Sequence, residues 1–440
     1  MKKVFYLMLL AMLALFSCSK HDASPTANLK AVTVQLAYPA GSFTAQAGVG
    51  IKMTSSSSSY NATADASGKA IFSVPVGIYD ISATDTRSDG GTAFIYNGVR
   101  SSFAITSDWS ATDTVNLQLT VSQSGQVIIK EVFVGGTLKD DGSGSFAFDK
   151  YITLYNNSDA IANLDSICLA MISPYNAQAS NGYYDANGSL TYASEGWIPA
   201  VQGYWYFQQN VTLDPGKQIV IALNNAVDNT VTYSKSINFD HPDYYCTYDI
   251  NKFPNASYYV TPGDSILTSH YMKAQAYGAG NAWSISVTSP GVFIFTPKDG
   301  YTPTTFAADA SLTNTLSAYT SKKVPFNWVL DDVEGFLLNN TANKKRFPAS
   351  IDAGYVYHVN NQGYSIYRNV DKTATEAIAS NSGKIVYGYS LGTTAVGGST
   401  DPSGIDAEAS IKNGARIVYM DTNNSTNDFH LRKKASLSNY

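Results

Sequence analysis

Lys30-Ala31-Val32-Thr33-Val34-Gln35-Leu36 reads as a β-strand with one apolar face, because Val32, Val34 and Leu36 recur at every second residue of an extended backbone. The same period returns at Val115, Leu117, Leu119 and Val121. Between the two, Asp65-Ala66-Ser67-Gly68 and Val74-Pro75-Val76-Gly77 supply the Asp, Gly and Pro that chain reversals need. Strands separated by such turns predict a first β unit over residues 30–123.

Downstream the pattern is repeated with more β-branched residues. Gln126 to Val134 is such a run, Lys150 to Tyr155 alternates, Leu213-Asp214-Pro215-Gly216 is a turn and Gln218 to Leu223 is an apolar strand. These predict a second sandwich over residues 124–440. An all-β fold of two sandwiches suits 440 residues, too many for one core. Charged residues make up 14% where soluble proteins average about a quarter, and Tyr alone supplies 31 residues, the profile of an exported β protein.

The order Ala47-Gly48-Val49-Gly50-Ile51, Ala62 to Ala70 and Phe72-Ser73-Val74-Pro75-Val76-Gly77-Ile78-Tyr79 resembles the carboxypeptidase-regulatory-like sandwich. That resemblance implies a seven-stranded spacer without catalysis of its own, and Ser55 to Ser59 reads as a solvated loop within it. In the second unit, Glu131 on a first strand, Leu154-Tyr155-Asn156, Asn163-Leu164-Asp165, the Leu-x-Pro-Gly turn, Asp331 to Phe336 and Ser365 to Arg368 follow one another in an order that resembles a lamin-tail domain, an immunoglobulin-like sandwich. Thr153 stands where that family has Glu, and the spacing is broken by stretches at about 173–210 and 230–325, expected to be long insertions. Asp421 to Phe429 is a segment that this chain has in common with uncharacterised Bacteroidetes outer-membrane lipoproteins, which it resembles along most of its length.

The amino terminus points the same way. After Lys2-Lys3 the apolar run Val4 to Phe16 is too short to span a bilayer but suits a signal-peptide core. Leu15-Phe16-Ser17-Cys18 resembles a bacterial lipobox, with Phe16 bulkier than usual. It implies removal of residues 1–17, lipidation of Cys18, and residues 18–29 as a flexible tether. Surface-directed lipoproteins of this type carry an acidic stretch after the lipidated Cys, where this chain has one Asp22 offset by Lys20. The expected location is the outer membrane, facing the surface rather than the periplasm.

Net charge is −5, and about −7 once Lys2 and Lys3 leave with the signal, so the chain has no electrostatic footprint for nucleic acid. Aromatic residues crowd the two expected insertions. Trp197, Tyr204, Trp205 and Tyr206 in the first, with Tyr244 and Tyr245 in the second, are candidates for ligand binding, since such rings offer wide contact area with a polar tip. The alternative is that these rings form the insertions' own cores. Cys168 and Cys246 either pair or stay free thiols, and their separation in sequence does not decide. His241, Asp243, Cys246 and His270 lack metal-site spacing, and Asp421, Asn423, Ser425 and Asn427 read as an Asx turn rather than a calcium loop. No nucleophile elbow or phosphate loop is present, and Glu195 beside Trp197 is the one acid nominated for glycoside hydrolysis. The chain therefore reads as a non-enzymatic, cofactor-free binding or accessory protein of the cell envelope. It would capture a glycan or an iron-carrying compound (a siderophore), or dock on an outer-membrane transporter. A structural or adhesive role is the alternative, and a glycan hydrolase the second.

Overall fold

The computed structural model describes residues 29–438, apart from 40–42, 56–57, 90–91, 124–125, 181, 187, 316–318 and 389–398. The signal run, Cys18 and all of the tether but Leu29 lie outside the described residues. Among the described residues strands predominate, the helices are short, and none is long and apolar enough to cross a membrane.

Lys30–Ala37 does form the expected strand, with Val32, Val34 and Leu36 buried and their neighbours facing out. It sits at the centre of a three-stranded sheet between Lys69–Val74, antiparallel, and Thr114–Gln118, parallel. A five-stranded sheet packs on it, built around the long hairpin Gly77–Asp89 and Thr92–Ile105. One core of Val32, Val34, Ile51, Met53, Phe72, Ile81, Val115 and Leu117 fills the space between. Among the described residues eight strands are present where seven were expected.

Residues Val127–Arg432 form a second body around a single 14-stranded sheet. Along its main path the strands run Val356–His358, Val329–Leu337, Gly291–Phe295, Cys168–Ile172, Trp197–Tyr206, Tyr271–Ala276, Tyr245–Thr247, Gln218–Ala222, Tyr151–Asn156, Val127–Phe133, Ser365–Arg368 and Phe429–Arg432. The stretches expected as insertions thus supply central strands, and they are not loops added to a finished sandwich. Gly203 allows one of these contacts: its φ is +151°, and a Cβ there would stand 2.4 Å from the Gln275 carbonyl oxygen on the next strand.

The sheet curls until its ends meet. Ile129 N–H donates to Asp331 Oδ2 at 2.5 Å, and Arg368 Nε donates to the Ile129 carbonyl at 2.7 Å. Two side chains thereby satisfy backbone groups that a ladder would otherwise pair. The register slips between Thr153 and Leu154 opposite Lys130, a bulge that bends the strand at this seam. Inside the curl lie Ile129, Ile152, Leu169, Trp205, Ile221, Met272, Ile294, Val333 and Leu431.

The outer face is covered as well. Ala170, Ile198, Tyr204 and Phe293 are roofed by Tyr192, Phe306, Trp328 and Phe347. Tyr151, Val220 and Cys246 lie under Ile237, Phe239 and Ile266, and Ile128, Tyr155 and Tyr367 under Ile405, Ile417 and Tyr419. Burial on both faces explains why Val127–Phe133, Tyr151–Asn156 and Gly291–Phe295 are buried at every residue.

Candidate functional site

The six aromatic candidates do not converge. Along Trp197–Tyr206 successive side chains take opposite faces, so Trp205 enters the interior against Phe253 and Tyr259, 5.3 and 5.8 Å between ring centres. Tyr204 points outward under Phe306, with its hydroxyl donating to the Pro303 carbonyl. Trp197 is 7% exposed, its Nε1 donating to Glu195 Oε2 at 2.8 Å and Lys323 Nζ lying 5.0 Å from its ring centre. Glu195, nominated for hydrolysis, is thus engaged with Trp197 and 3.8 Å from Lys323 Nζ. Tyr245 is buried between His270, stacked at 4.2 Å, and Phe207. Only Tyr206 and Tyr244 are half-buried; the first accepts from Gln275, and the second stacks on His241 at 4.6 Å. Trp197, Tyr204, Trp205 and Tyr245 are therefore core residues, a correction whose cause is that their segments became sheet strands needing apolar cover.

Cys168 and Cys246 are free and buried. The strands Trp197–Tyr206 and Tyr271–Ala276 stand between theirs, which puts them about 14 Å apart at the usual strand spacing, well beyond disulfide reach. Burial pushes both thiols up. Among the described residues no three His, Cys, Asp or Glu side chains are grouped to hold a metal ion. Asn424 caps the short helix Ser425–Asp428, as an Asx turn would.

The motif residues of the second unit do converge, at the seam. Arg368, fully buried, pairs with Asp331 through Nη2 and donates to the Met420 carbonyl through Nη1 at 2.8 Å. Asp421 and Asp428 stand 3.6 and 3.9 Å from it. Burial pushes the Asp428 carboxyl up to about 6 even though Arg368 opposes the shift. Beside them Asp332 is raised well above the carboxylate range by burial and by its hydrogen bond and proximity to Asp352. Glu334 accepts from Arg346 Nε at 2.8 Å, and the remaining guanidinium donors reach the carbonyls of Pro174, Tyr175, Ser289 and Gly335. Each charge has a partner, so this cluster locks strand ends together and offers no open coordination to a ligand.

An open concavity lies elsewhere, on the first sandwich. A groove of about 770 Å³ is lined by Ser55, Tyr60, Pro75, Val76, Ile78 and Asp80 among others. Val76 and Ile78 are 46% and 64% exposed, apolar side chains presented to solvent. Tyr60 and Tyr79 meet edge to face at 6.1 Å, and Tyr79 OH donates to the Pro75 carbonyl at 2.8 Å, which holds the turn. Asp80 Oδ1 accepts from Ser102 N–H at 2.8 Å. In the second body burial raises Tyr355 to about 12, with Tyr357 and, least, the charge of Asp80 adding to it. There Tyr355 stacks on Phe336 at 4.2 Å and meets Tyr357, 44% exposed, edge on. The sequence had marked this region only as a spacer with a serine loop. Its signal in the sequence was the Pro75-Val76-Gly77 turn, with an apolar residue inside it and Ile78 just after it.

Residues 214–387 match the model of a family described as "Protein of unknown function (DUF4876)". Among solved structures, the crystal structure of a DUF4876 family protein from Bacteroides thetaiotaomicron is similar at 20% identity, covering 91% of this chain and 94% of that chain with a TM-score of 0.48. No curated protein matches the chain. An uncharacterised family is what the sequence led one to expect.

Proposed function

We propose that this chain is a lipid-anchored cell-envelope binding protein, held to the outer membrane through Cys18, whose recognition surface is the groove on the first sandwich rather than the rings of the second body. The carrying observation is the pairing of exposed Val76 and Ile78 with Tyr60, Asp80 and serine hydroxyls in one concavity. Sites that bind small ligands combine apolar walls with a few convergent polar groups and favour domain junctions. A glycan, with apolar ring faces and hydroxyl edges, fits that chemistry. A siderophore or a transporter loop would use the same groups. In sequence the tether at residues 18–29 leads directly into the first sandwich, so the groove lies on the body nearer the anchor and the curled sheet follows it.

The test is binding of the full chain to a glycan and siderophore panel and to outer-membrane extract, comparing wild type with Tyr60→Ala and Ile78→Ser. Ile78 is exposed and Tyr60 is half-buried at the edge of the first core, so circular dichroism checks that the fold survives while binding falls. Binding indifferent to both substitutions would remove the groove from the account. No binding at all would favour the structural or adhesive role, which the burial of the second body's rings already suits.

A further inference from the structure

One corner of the second body collects buried oxygens that nothing in the fold satisfies. Asp149, Thr137 and Ser236 are fully buried, and Asp149 Oδ2 and both hydroxyl oxygens make no hydrogen bond. Native proteins leave few such atoms, and each one asks what else it holds.

Three chain segments bring these residues together. Thr137 pairs with Phe146 in a short hairpin, and Asp149 N–H donates back to the Phe146 carbonyl at 3.1 Å. Asp140, in the turn of that hairpin, accepts from Ser234 N–H at 2.7 Å and so ties the next segment to it. Asn229 closes the ring: its Nδ2 donates to Asp149 Oδ1 at 2.9 Å, and its N–H donates to the carbonyl of Ile237, the neighbour of Ser236, at 3.2 Å. Burial raises the Asp149 carboxyl, and the Ser236 and Thr137 hydroxyls beside it oppose the shift together with Asn229. What opposes burial there is thus a set of neutral groups and no cation. Lys150, next in the chain, takes the inner face, its Nζ 5.7 Å from the Tyr258 ring centre. Asp149 shares the outer face with Tyr151, and continuing the strand register places Asn224, whose amide oxygen also has no hydrogen bond, opposite it.

We propose that Asp149 Oδ2 and the hydroxyls of Thr137 and Ser236 form a calcium-binding site that pins the 137–146 hairpin and the 225–237 segment to the sheet. A cation supplies the counter-charge that a buried carboxylate otherwise lacks. The donors are all oxygen, which selects a hard ion over zinc or copper. A carboxylate and two hydroxyls from three separate segments suit Ca²⁺, whose shell of roughly six to eight oxygens is flexible, better than Mg²⁺, which demands near-octahedral order. A set with a single acid differs from the clustered His, Cys, Asp and Glu of other metal centres, and its low charge sets a weak affinity, with Kd about 10⁻⁴–10⁻³ M.

The experiment is calorimetric titration of the full chain, stripped with EDTA and exchanged into potassium buffer, with calcium, magnesium and sodium chlorides, followed by thermal melts. Saturable binding of calcium and a melting temperature raised by a few degrees at about 10 mM are the expected results, with neither given by magnesium or by sodium at matched ionic strength. Asp149→Asn keeps the side-chain shape and removes the buried charge, so it should fold and lose the calcium response, while Ser236→Ala weakens it several-fold. No calcium effect on the wild type, an equal effect of magnesium or sodium, or a calcium response retained in Asp149→Asn overturns the proposal. Should Asp149→Asn not fold, Ser236→Ala and Thr137→Val decide, since a calcium response unchanged in both overturns it as well.

Discussion

Replacing Arg368 by Met is the sharpest probe of the seam. The guanidinium is fully buried and holds Asp331, the Ile129 carbonyl and the Met420 carbonyl at once, with its plane 4.3 Å from the Phe429 ring centre. Methionine fills much of the volume but cancels none of the charge. Breaking a buried ion pair from one side costs about 3–5 kcal/mol, and each stranded buried carbonyl about 1–3 kcal/mol, sums that overlap because the same region relaxes. A net loss of about 5 kcal/mol is expected for the second body, a large share of the stability of an ordinary domain. Urea unfolding followed by tryptophan fluorescence reads it, since all five Trp but Trp109 lie in that body. The cost has a pH signature. Burial raises Asp331 and Asp428, and removing Arg368 takes away the opposing cation, so the folded variant prefers both protonated. A carboxyl raised in the folded state contributes stability below its unfolded value and loses it as pH rises through the folded value, which for Asp428 in the wild type is about 6. The variant's deficit is therefore smaller at pH 5 than at pH 8, and Arg368→Met with Asp331→Leu recovers much of it. A cost below about 1 kcal/mol, or one equal at both pH values, would refute the idea that this ion pair closes the sheet.

Lys150→Met should leave stability at pH 7 equal or higher, because an unpaired buried amine is destabilising while protonated. The wild type should gain stability as pH rises from about 8 to just below about 10, a slope missing from the variant in thermal melts; above that the unfolded tyrosine ionises while Tyr258 is held at about 12, which acts in the opposite direction. Trp205→Ala should cost about 3–5 kcal/mol through the cavity it opens, measured by urea unfolding, with no specific loss of ligand binding at the groove. Cys168 and Cys246 should resist alkylation in the native chain and react only after denaturation, as read by mass spectrometry, and reductant should not move the melting temperature.

Much of the architecture was legible one residue at a time. Period-two alternation placed Val32, Val34 and Leu36 on an inner face, and the Asp-Gly and Pro-Gly turns marked where the first sandwich reverses. Asp331, Arg368 and Asp428 could be picked out by order, though their common seam could not, because they come from segments up to about a hundred residues apart whose approach depends on how far the sheet curls. Nor could the fate of the rings be read. Tyr204 and Trp205 have the same composition and sequence neighbourhood as a binding loop, and only pairing with Cys168–Ile172 and Tyr271–Ala276 turned their segment into a strand buried on both faces. The all-β class and the apolar strand faces follow from local patterns, since backbone geometry alone sets their period. Which polar groups are left unpartnered, which concavity stays open and which cysteines meet are set by strand order, a long-range property that one-dimensional spacing does not encode.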